Sequence, residues 1–586
     1  MRRLLLLVFL ASAVFADEAS DLRAARAVFE ENIAAIHAKD RARYLAVYLQ
    51  DEKLVRTGPA GFATGYEDFA KGAGSEWPST LEATDLRLTP IRPGIVYGTY
   101  RYRVRYNANE VLGVSERLFV ETPKGWRVAL TGAIATPGVP PSPRAITNAT
   151  LIDGRGGAPV RNATIVIRDG KIECAGVDCE VPAGVDVVDA KGMWVTPGLV
   201  DSHVHFSQTG WADRRPDAID VRSLHPYDKT IGELKAHPET FARSYLCSGV
   251  TSVFDVGGYS WTLRLADHFA DDTAAPHITA AGPLVSTAAQ PLINLAGEQQ
   301  LLPVKDAAGS RNAVSYLIAQ GAKAIKFWYL DDAQEALDAA GVAARDAKLP
   351  LIVHATELAR AKAAMRAGAK LLVHSVDDVA IDDEFIALAK EHGTIVTPTL
   401  TVMNGYAQMM QSVVDRKAPA IDDPNGCVDA ATKAKVASTA ALPATLMNAA
   451  TANRMASYVR EHSAIAAQNL KRMNDAGIAI ATGTDAGNPL TLHGPSIYAE
   501  MEAMQKAGMS PMQVIVASTA TAARASLLDA TTGTIEKGKD ADLLLIAGDP
   551  SADVSAFRKV KFVVRGGVVR GVDELSAMVN VIQRDN

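Results

Sequence analysis

The sequence predicts an α/β protein built around a (β/α)8 barrel. A small sheet assembled from both flanks of the barrel accompanies it, and a separate α+β domain precedes it. Three observations lead there. Between residues of about 197 and 528, short apolar runs of strand character alternate with Ala-rich runs of helical character. Two β-rich pieces bracket that stretch. A proline-rich segment, Thr136-Pro137-Gly138-Val139-Pro140-Pro141-Ser142-Pro143, continues neither helix nor sheet and reads as a stiff linker over 137–144. The 586 residues, 48% hydrophobic and 22% charged, suit about three to five domain-sized units or one large barrel with appendages, and exclude a largely disordered or collagen-like chain.

The first 16 residues read as a leader. Arg2 and Arg3 form a positive region, Leu4 to Val14 a short apolar core, and small residues follow. Cleavage fits after Ala13 or, preferably, after Ala16. The apolar run is well short of the ~20 residues a membrane span needs. Export as a soluble periplasmic or secreted protein, with no membrane anchor, is the expectation. Export permits disulfides: Cys174 and Cys179 lie close enough in sequence to be bridged or left free, whereas Cys247 and Cys427 stand isolated. No CxxC pair occurs, which disfavours a cysteine-based zinc site. The net charge of −6 and the absence of a Lys/Arg-rich run give no reason to expect a nucleic-acid partner.

Residues 17–136 begin with Leu22, Ala25, Phe29, Ile33 and Ile36, an apolar face at helical spacing. They then turn strand-like: Tyr100, Tyr102, Val104 and Tyr106 alternate, and short runs follow over Ser115–Glu121 and Gly125–Leu130. A helix followed by a curved antiparallel sheet resembles the NTF2-like (SnoaL-like) fold, a cone-shaped α+β domain. It offers no acid–base pair and reads as a structural, binding or assembly module.

After the linker, Thr164–Ile172 alternates around Asp169-Gly170, the chemistry of a type I′ hairpin. Gly533–Ile546 and Val560–Val569 supply matching strands from the other flank, so 145–196 and 529–572 share one sheet, leaving 573–586 as a tail. The candidate barrel strands are Leu199–Val204, Val250–Val256, Ile278–Ala281, Ala324–Phe327, Leu351–Val353, Leu371–Val373, Ile395–Pro398 and Ile478–Ala481.

Chemistry concentrates at the C-terminal tips of these strands. The first ends Asp201-Ser202-His203-Val204-His205, and residues two apart in a strand project together. Lys326 lies near the end of the fourth strand, His354 and His374 follow the fifth and sixth, and Asp485 follows the eighth. A lone histidine is usually structural. Four of them plus an aspartate at the active ends of barrel strands are the donors expected for zinc or a similar divalent cation.

These motifs, with Thr196-Pro197-Gly198-Leu199-Val200-Asp201, Gly483-Thr484-Asp485-Ala486-Gly487 and Gly533–Leu543, resemble the amidohydrolase superfamily of metal-dependent hydrolases over 145–572. The similarity is to the branch of imidazolonepropionases and secreted Xaa-Pro and Xaa-Arg/Lys dipeptidases. It implies a TIM barrel and a β-sandwich built from both flanks. The dipeptidase-like relatives imply two divalent metal ions bridged by a CO2-derived carbamate on Lys326, whereas imidazolonepropionases lack such a lysine and use one metal, so a mononuclear site is the alternative. His203, His205, Lys326 and Asp485 would hold one ion, and Lys326, His354 and His374 the other. Hydrolysis of an amide C–N bond in a small molecule, a dipeptide or N-acyl amino acid, is the implied reaction, with Asp485 as general base and then acid. The alternatives are a lactonase or cyclic-amide hydrolase using the same site, and a metal-retaining binding protein acting through its N-terminal domain. Relatives often form oligomers, which leaves room for a homo-oligomer.

Substrate contacts are less legible. His493 could touch substrate or cap the next helix, and Tyr259 and Tyr329 could bind a substrate carbonyl or simply pack. Arg264 and Arg214-Arg215 could pair with a carboxylate. Residues 399–477, methionine- and alanine-rich, could form a lid or extend the seventh barrel helix.

Overall fold

A computed structural model describes residues 2–581 apart from 59–60, 75–76, 107–108, 136–143, 184, 216–217, 289–292, 296 and 331–332. The proline-rich segment Thr136–Pro143 therefore lies outside the described residues. The chain divides into two units, residues 1–139 and 140–586.

In the first unit a helix spans Arg2–His37. Ala25 and Phe29 on its apolar stripe are buried against a six-stranded sheet. The strands are β1 (Val55–Gly58), β2 (Gly61–Thr64), β3 (Thr80–Arg92), β4 (Ile95–Tyr106), β5 (Asn109–Thr122) and β6 (Gly125–Ala135), in the order β2-β1-β6-β5-β4-β3. All neighbours are antiparallel except β1 and β6.

The second unit opens with β7 (Arg144–Leu151), β8 (Val160–Arg168), β9 (Lys171–Gly176), β10 (Asp186–Asp189) and β11 (Trp194–Pro197). Asp169 and Gly170 both have positive φ, 52° and 73°, as the hairpin between β8 and β9 requires.

Next come β12 (Leu199–Val204), β13 (Val250–Asp255), β14 (His277–Ala280), β15 (Leu284–Ser286), β16 (Leu301–Pro303), β17 (Ile325–Trp328), β18 (Leu351–His354), β19 (Ala369–Val373) and β20 (Ile395–Thr397). All their pairings are parallel: β12-β13-β14 in one sheet and β16-β15-β17-β18-β19-β20 in the other. The expected eighth strand, Ile478–Ala481, is not a continuous strand. The segment makes isolated parallel bridges instead, Val396 with Ile480 and Val204 with Ala486. Its carbonyls and amides thereby join β20 on one side and β12 on the other: Ala481 N–H reaches Val396 O at 2.9 Å, and Ser202 N–H reaches Thr482 O at 3.0 Å. The segment thus bridges β20, at the edge of the six-stranded parallel sheet, and β12, at the edge of the three-stranded one.

From the C-terminal flank, β21 (Leu543–Ile546), β22 (Val560–Arg565) and β23 (Val568–Gly571) complete an eight-stranded sheet, β23-β22-β21-β11-β7-β8-β9, with β10 paired to β7. Strands from both flanks thus share one sheet. Of Gly533–Ile546, only the last four residues form strand. Gly533 and Gly538 hold φ of 87° and 90°, which turns the preceding stretch into loop. Residues 573–580, expected as tail, belong to a helix, Val572–Val581, whose Val572, Leu575 and Val579 enter the core.

Both cysteine pairs are bonded. Cys174 is joined to Cys179 and, contrary to their isolation in sequence, Cys247 to Cys427. The second bridge spans 180 residues, the first only 5. On loop-closure grounds, replacing Cys247 and Cys427 by Ser lowers stability by about 2–5 kcal/mol, clearly more than removing the short bridge. Denaturant unfolding of the two double variants measures this.

Candidate metal centre and active site

Lys326 alternates with Ile325 and Phe327 along β17, so those two enter the core behind the strand while Lys326 faces the cavity. Its neighbour β18 ends at His354, and His374 follows β19. His203, at the end of β12, and His205 just beyond it share a face. The six polar groups His203, His205, Lys326, His354, His374 and Asp485 all line one cavity of about 270 Å³.

The donors converge closely. Asp485 Oδ1 lies 3.2 Å from His203 Nε2 and 2.9 Å from His205 Nε2, and the two imidazole nitrogens are 3.3 Å apart. The His354 and His374 rings are 4.4 Å apart, and His374 is 5.0 Å from His203. His205 Nδ1 lies 2.6 Å from the Gly257 carbonyl, which can only accept; Nδ1 therefore carries the proton and Nε2 presents a lone pair inward. His374 Nδ1 is likewise held, by the Thr399 hydroxyl at 2.7 Å.

This arrangement fits a cation. Asp485 Oδ1 is buried with no hydrogen-bond partner, although it faces two imidazole nitrogens. Burial and the charge of Lys326 hold His203 well below the usual imidazole range, and burial with His354 and Lys326 does the same to His374. Burial and Lys326 push His354 down to about 3. Neutral imidazoles with inward lone pairs are ligands, not acids. Lys326 is only 2% exposed; burial pushes its ammonium down to about 7, with Asp485 pulling the other way. An amine so placed is available in its neutral, nucleophilic form.

Backbone conformation marks the same residues. His374 and Asp485 have φ of 76° and 62°, a left-handed region that non-glycine residues rarely adopt. The Asp485 turn is over-determined from β12. The buried Asp201 carboxylate accepts the Thr484 N–H at 2.9 Å and the Thr484 hydroxyl at 2.6 Å. Asp255 does similar service for the other loop, accepting the N–H groups of Phe206 and Gly257 at 3.0 and 3.1 Å. Buried Glu500 accepts the N–H of Leu400 at 2.7 Å and both the N–H and hydroxyl of Thr401. It thereby fixes the corner where residues 399–477 begin.

The amidohydrolase family model matches residues 194–572. The chain belongs to the amidohydrolase family. A dihydroorotase of Anaeromyxobacter dehalogenans is 32% identical over 126 residues, 20% of this chain and 29% of that protein. An N-acyl-D-aspartate deacylase of Alcaligenes xylosoxydans is 47% identical over 60 residues, 10% of this chain and 12% of that one. The chain therefore spans less than a third of the length of these curated relatives. Among solved structures, a Xaa-Pro dipeptidase with methionine in its active site superposes with a TM-score of 0.56 at 24% identity, over 73% of this chain and 100% of that one. Molinate hydrolase gives 0.56 at 23% identity, over 74% and 95%. At these identities the likeness establishes the amidohydrolase fold, TIM-barrel-like with mixed α/β content.

Besides the converging polar groups, part of the cavity wall comes from residues 399–477, which fold into helices Val402–Asp415, Ala430–Ser438 and Ala449–Asp475. Met403 lines the cavity, but Met409, Met410 and Met447 pack into a core with Trp211 and Leu442. That stretch is thus packed wall, not a loose methionine surface. Tyr458 and His462, one turn apart on the long helix, stack at 3.8 Å and face Asp377. Their i,i+4 spacing was the available sequence signal. Arg215 also lines the cavity. Its guanidinium lies 5.3 Å from the Tyr406 ring centroid and donates to Asn488 Oδ1. Asn488 Oδ1 also accepts from the Tyr406 hydroxyl, and Asn488 Nδ2 donates to the Asp485 carbonyl.

Other candidates lie elsewhere. His493 is buried behind the wall, between the Tyr245 hydroxyl and the Gln208 carbonyl, both at 2.8 Å. Tyr259 donates to the Ile293 carbonyl at 2.9 Å, and Tyr329 to Gln334 at 3.4 Å. None of the three lines the cavity. The two tyrosines have apolar rings that fill space next to an acceptor, and the His493 imidazole stacks on Phe241 at 3.9 Å. Arg264 is exposed and away from the cavity, and the Arg214 side chain lies outside the described residues.

A second group of possible metal donors, His277, Asp540 and Asp542, is already neutralised by cations. Arg565 Nη2 lies 3.1 Å from His277 Nδ1, and Lys171 pairs with Asp540 at 2.5 Å. Burial alone would raise the Asp542 pKa, but Arg565 and His277 outweigh it and hold the carboxyl well below its usual range. A carboxylate depressed on folding stabilises fully above its unfolded value of about 4, and that contribution fades as pH falls toward the folded value. Asp542→Asn, which strands buried Arg565, costs about 3–5 kcal/mol near neutral pH. The deficit shrinks on acidification below about pH 4. Urea titrations of both proteins across pH test the direction.

Proposed function

We propose that the chain is an exported, metal-dependent amidohydrolase that cleaves an amide C–N bond in a small substrate carrying a carboxylate, such as a dipeptide or N-acyl amino acid. The observation that carries this reading is the convergence of His203, His205, Lys326, His354, His374 and Asp485 on one cavity. We read the parallel strands as an eight-stranded (β/α)8 barrel, the shared flank sheet as part of a β-sandwich, and the N-terminal unit as NTF2-like. The two disulfides suit an oxidising compartment and support export.

His203, His205, Asp485 and a carbamate on Lys326 would hold one divalent ion, zinc by donor type, and the carbamate, His354 and His374 a second. Such ions supply Lewis-acid polarisation of the carbonyl and a water acidic enough to react near neutral pH. The remaining chemistry is the chain's own. Asp485 Oδ takes the proton of the attacking water and delivers it to the departing nitrogen, a base turned acid. The strained backbone at Asp485, locked through Thr484 by Asp201, keeps that oxygen aimed while the proton moves.

Arg215 supports the carboxylate-bearing class, since it enters the cavity pre-oriented by Asn488 and Tyr406. A planar guanidinium held in place recognises a carboxylate through two parallel hydrogen bonds. Arg215→Met raises KM for an N-acyl amino acid about 10–100-fold, as loss of a charged hydrogen bond does. It leaves the corresponding C-terminal amide nearly unaffected. Equal losses on both substrates would remove Arg215 from recognition. A cyclic amide or lactone would meet the same donors, so both belong in the substrate panel.

A further inference from the structure

The N-terminal unit contains a cavity of about 460 Å³, within the range of small-molecule sites. It is built by strand alternation. Tyr100 pairs with Ser115, Gly98 with Arg117, and Thr131 with Arg117, so Tyr100, Ser115, Arg117 and Thr131 share the face of the sheet that lines it. Aromatic rings close the other side: Tyr44 meets Trp77 edge-on at 5.6 Å and stacks on Phe69 at 6.1 Å.

The charge balance of this cavity is one-sided. Arg117 is only 7% exposed, yet its partners are all neutral: the Ser115 hydroxyl at 2.6 Å, the Tyr100 hydroxyl at 2.9 Å, and the carbonyls of Glu116 and Gly132. The Glu116 carboxylate turns away to accept the Tyr97 hydroxyl at 3.0 Å. Among the described residues no carboxylate makes an ion pair with Arg117, and none lines the cavity, where a second cation, Arg56, also stands. A buried guanidinium without a counter-charge costs several kcal/mol, which a fold bears where an anion completes the site. The Tyr100 ring centroid lies 5.3 Å from Arg117 Cζ, and with the hydrogen bond to its hydroxyl this orients the guanidinium.

We propose that this cavity binds an aromatic monocarboxylate, its carboxylate on Arg117 and its ring among Tyr44, Phe69, Trp77 and Tyr100. The site is separate from the metal-ligand cluster, and its ligand is recognised by an anionic head and a flat apolar body. Free aromatic acids and aromatic amino acids share that head, and the amino group distinguishes them.

Calorimetric titration of the metal-loaded full chain decides the matter, with phenylacetate, phenylalanine, phenylacetamide and phenethylamine as probes. Phenylacetate binds the wild type and the Asp485→Asn variant alike, and at least about tenfold more tightly than its neutral amide or the amine. Phenylalanine binding comparably identifies the amino acid as a ligand; weaker binding restricts the site to acids without the amino group. Leu81→Trp, which fills the cavity and leaves Arg117 in place, and Arg117→Met each weaken phenylacetate about tenfold or more. Should Arg117→Met fail to fold, Leu81→Trp and the acid-against-amide comparison still decide. Equal affinity for acid and amide, binding unchanged by Leu81→Trp, or no binding of phenylacetate at millimolar concentration would each overturn the proposal.

Discussion

Asp485→Asn lowers kcat/KM for the amide substrate by about 10³-fold or more while the fold remains intact, because the proposed mechanism gives this one side chain two functions. As a ligand it is the sole carboxylate among the donors grouped with His203 and His205. As the group that shuttles the proton it contributes a general acid–base step worth about 10²–10⁴-fold. Asparagine keeps the volume and one acceptor but cannot take a proton. The backbone at 485 is already in the left-handed region that Asn tolerates, so the substitution adds no strain. Circular dichroism and the melting temperature stay close to wild type, and the loss appears in kcat. A variant equal to wild type in rate would remove Asp485 from the chemistry.

Lys326→Ala has the second large effect. If Lys326 carries a carbamate, the intact protein exceeds its sequence mass by one CO2 and binds two metal ions per chain. The alanine variant shows neither the added mass nor the second ion. Loss of an ion that polarises the carbonyl removes several kcal/mol of transition-state stabilisation, or about 10²–10⁴-fold in rate. Alanine also leaves a void at a position only 2% exposed, which costs stability on its own account. Lys326→Met, which retains most of the volume, separates the two effects: it melts near wild type yet loses metal. Unchanged metal content in both variants would take Lys326 out of the site.

Much of this cavity's polar lining was legible because histidines and a lysine at strand tips leave a local trace. His203 and His205 share a face by alternation, and Lys326 is conspicuous as a cation inside an apolar run. Asp201 sat in plain view within the same motif, but its role in holding Thr484 spans 283 residues, beyond the reach of any local pattern. The same holds for Glu500 and the Leu400–Thr401 corner, and for the Cys247–Cys427 bridge. Periodicity placed seven of the eight candidate barrel strands to within a residue or two, but not the segment around Ile480, and it missed β3, β15 and β16. That segment bonds its neighbours through single bridges, and its irregular backbone serves the Asp485 turn. His493, Tyr259 and Tyr329 show the converse. A polar tip in a loop after a strand looks like a substrate contact until burial reveals a backbone or side-chain partner behind the wall. Composition could not show that Lys326 is buried and its ammonium pushed down to about 7.

The most direct measurement is hydrolysis of a panel of mixed dipeptides, N-acyl amino acids, cyclic amides and lactones by the full chain, before and after metal removal and reconstitution. The metal-loaded wild type is expected to cleave at least one carboxylate-bearing amide, an activity lost on chelation, restored by a divalent ion, and nearly absent in Asp485→Asn. Metal-loaded wild type and Asp485→Asn equally inert toward every amide and ester, or amide cleavage that survives complete metal removal, would contradict the proposed function.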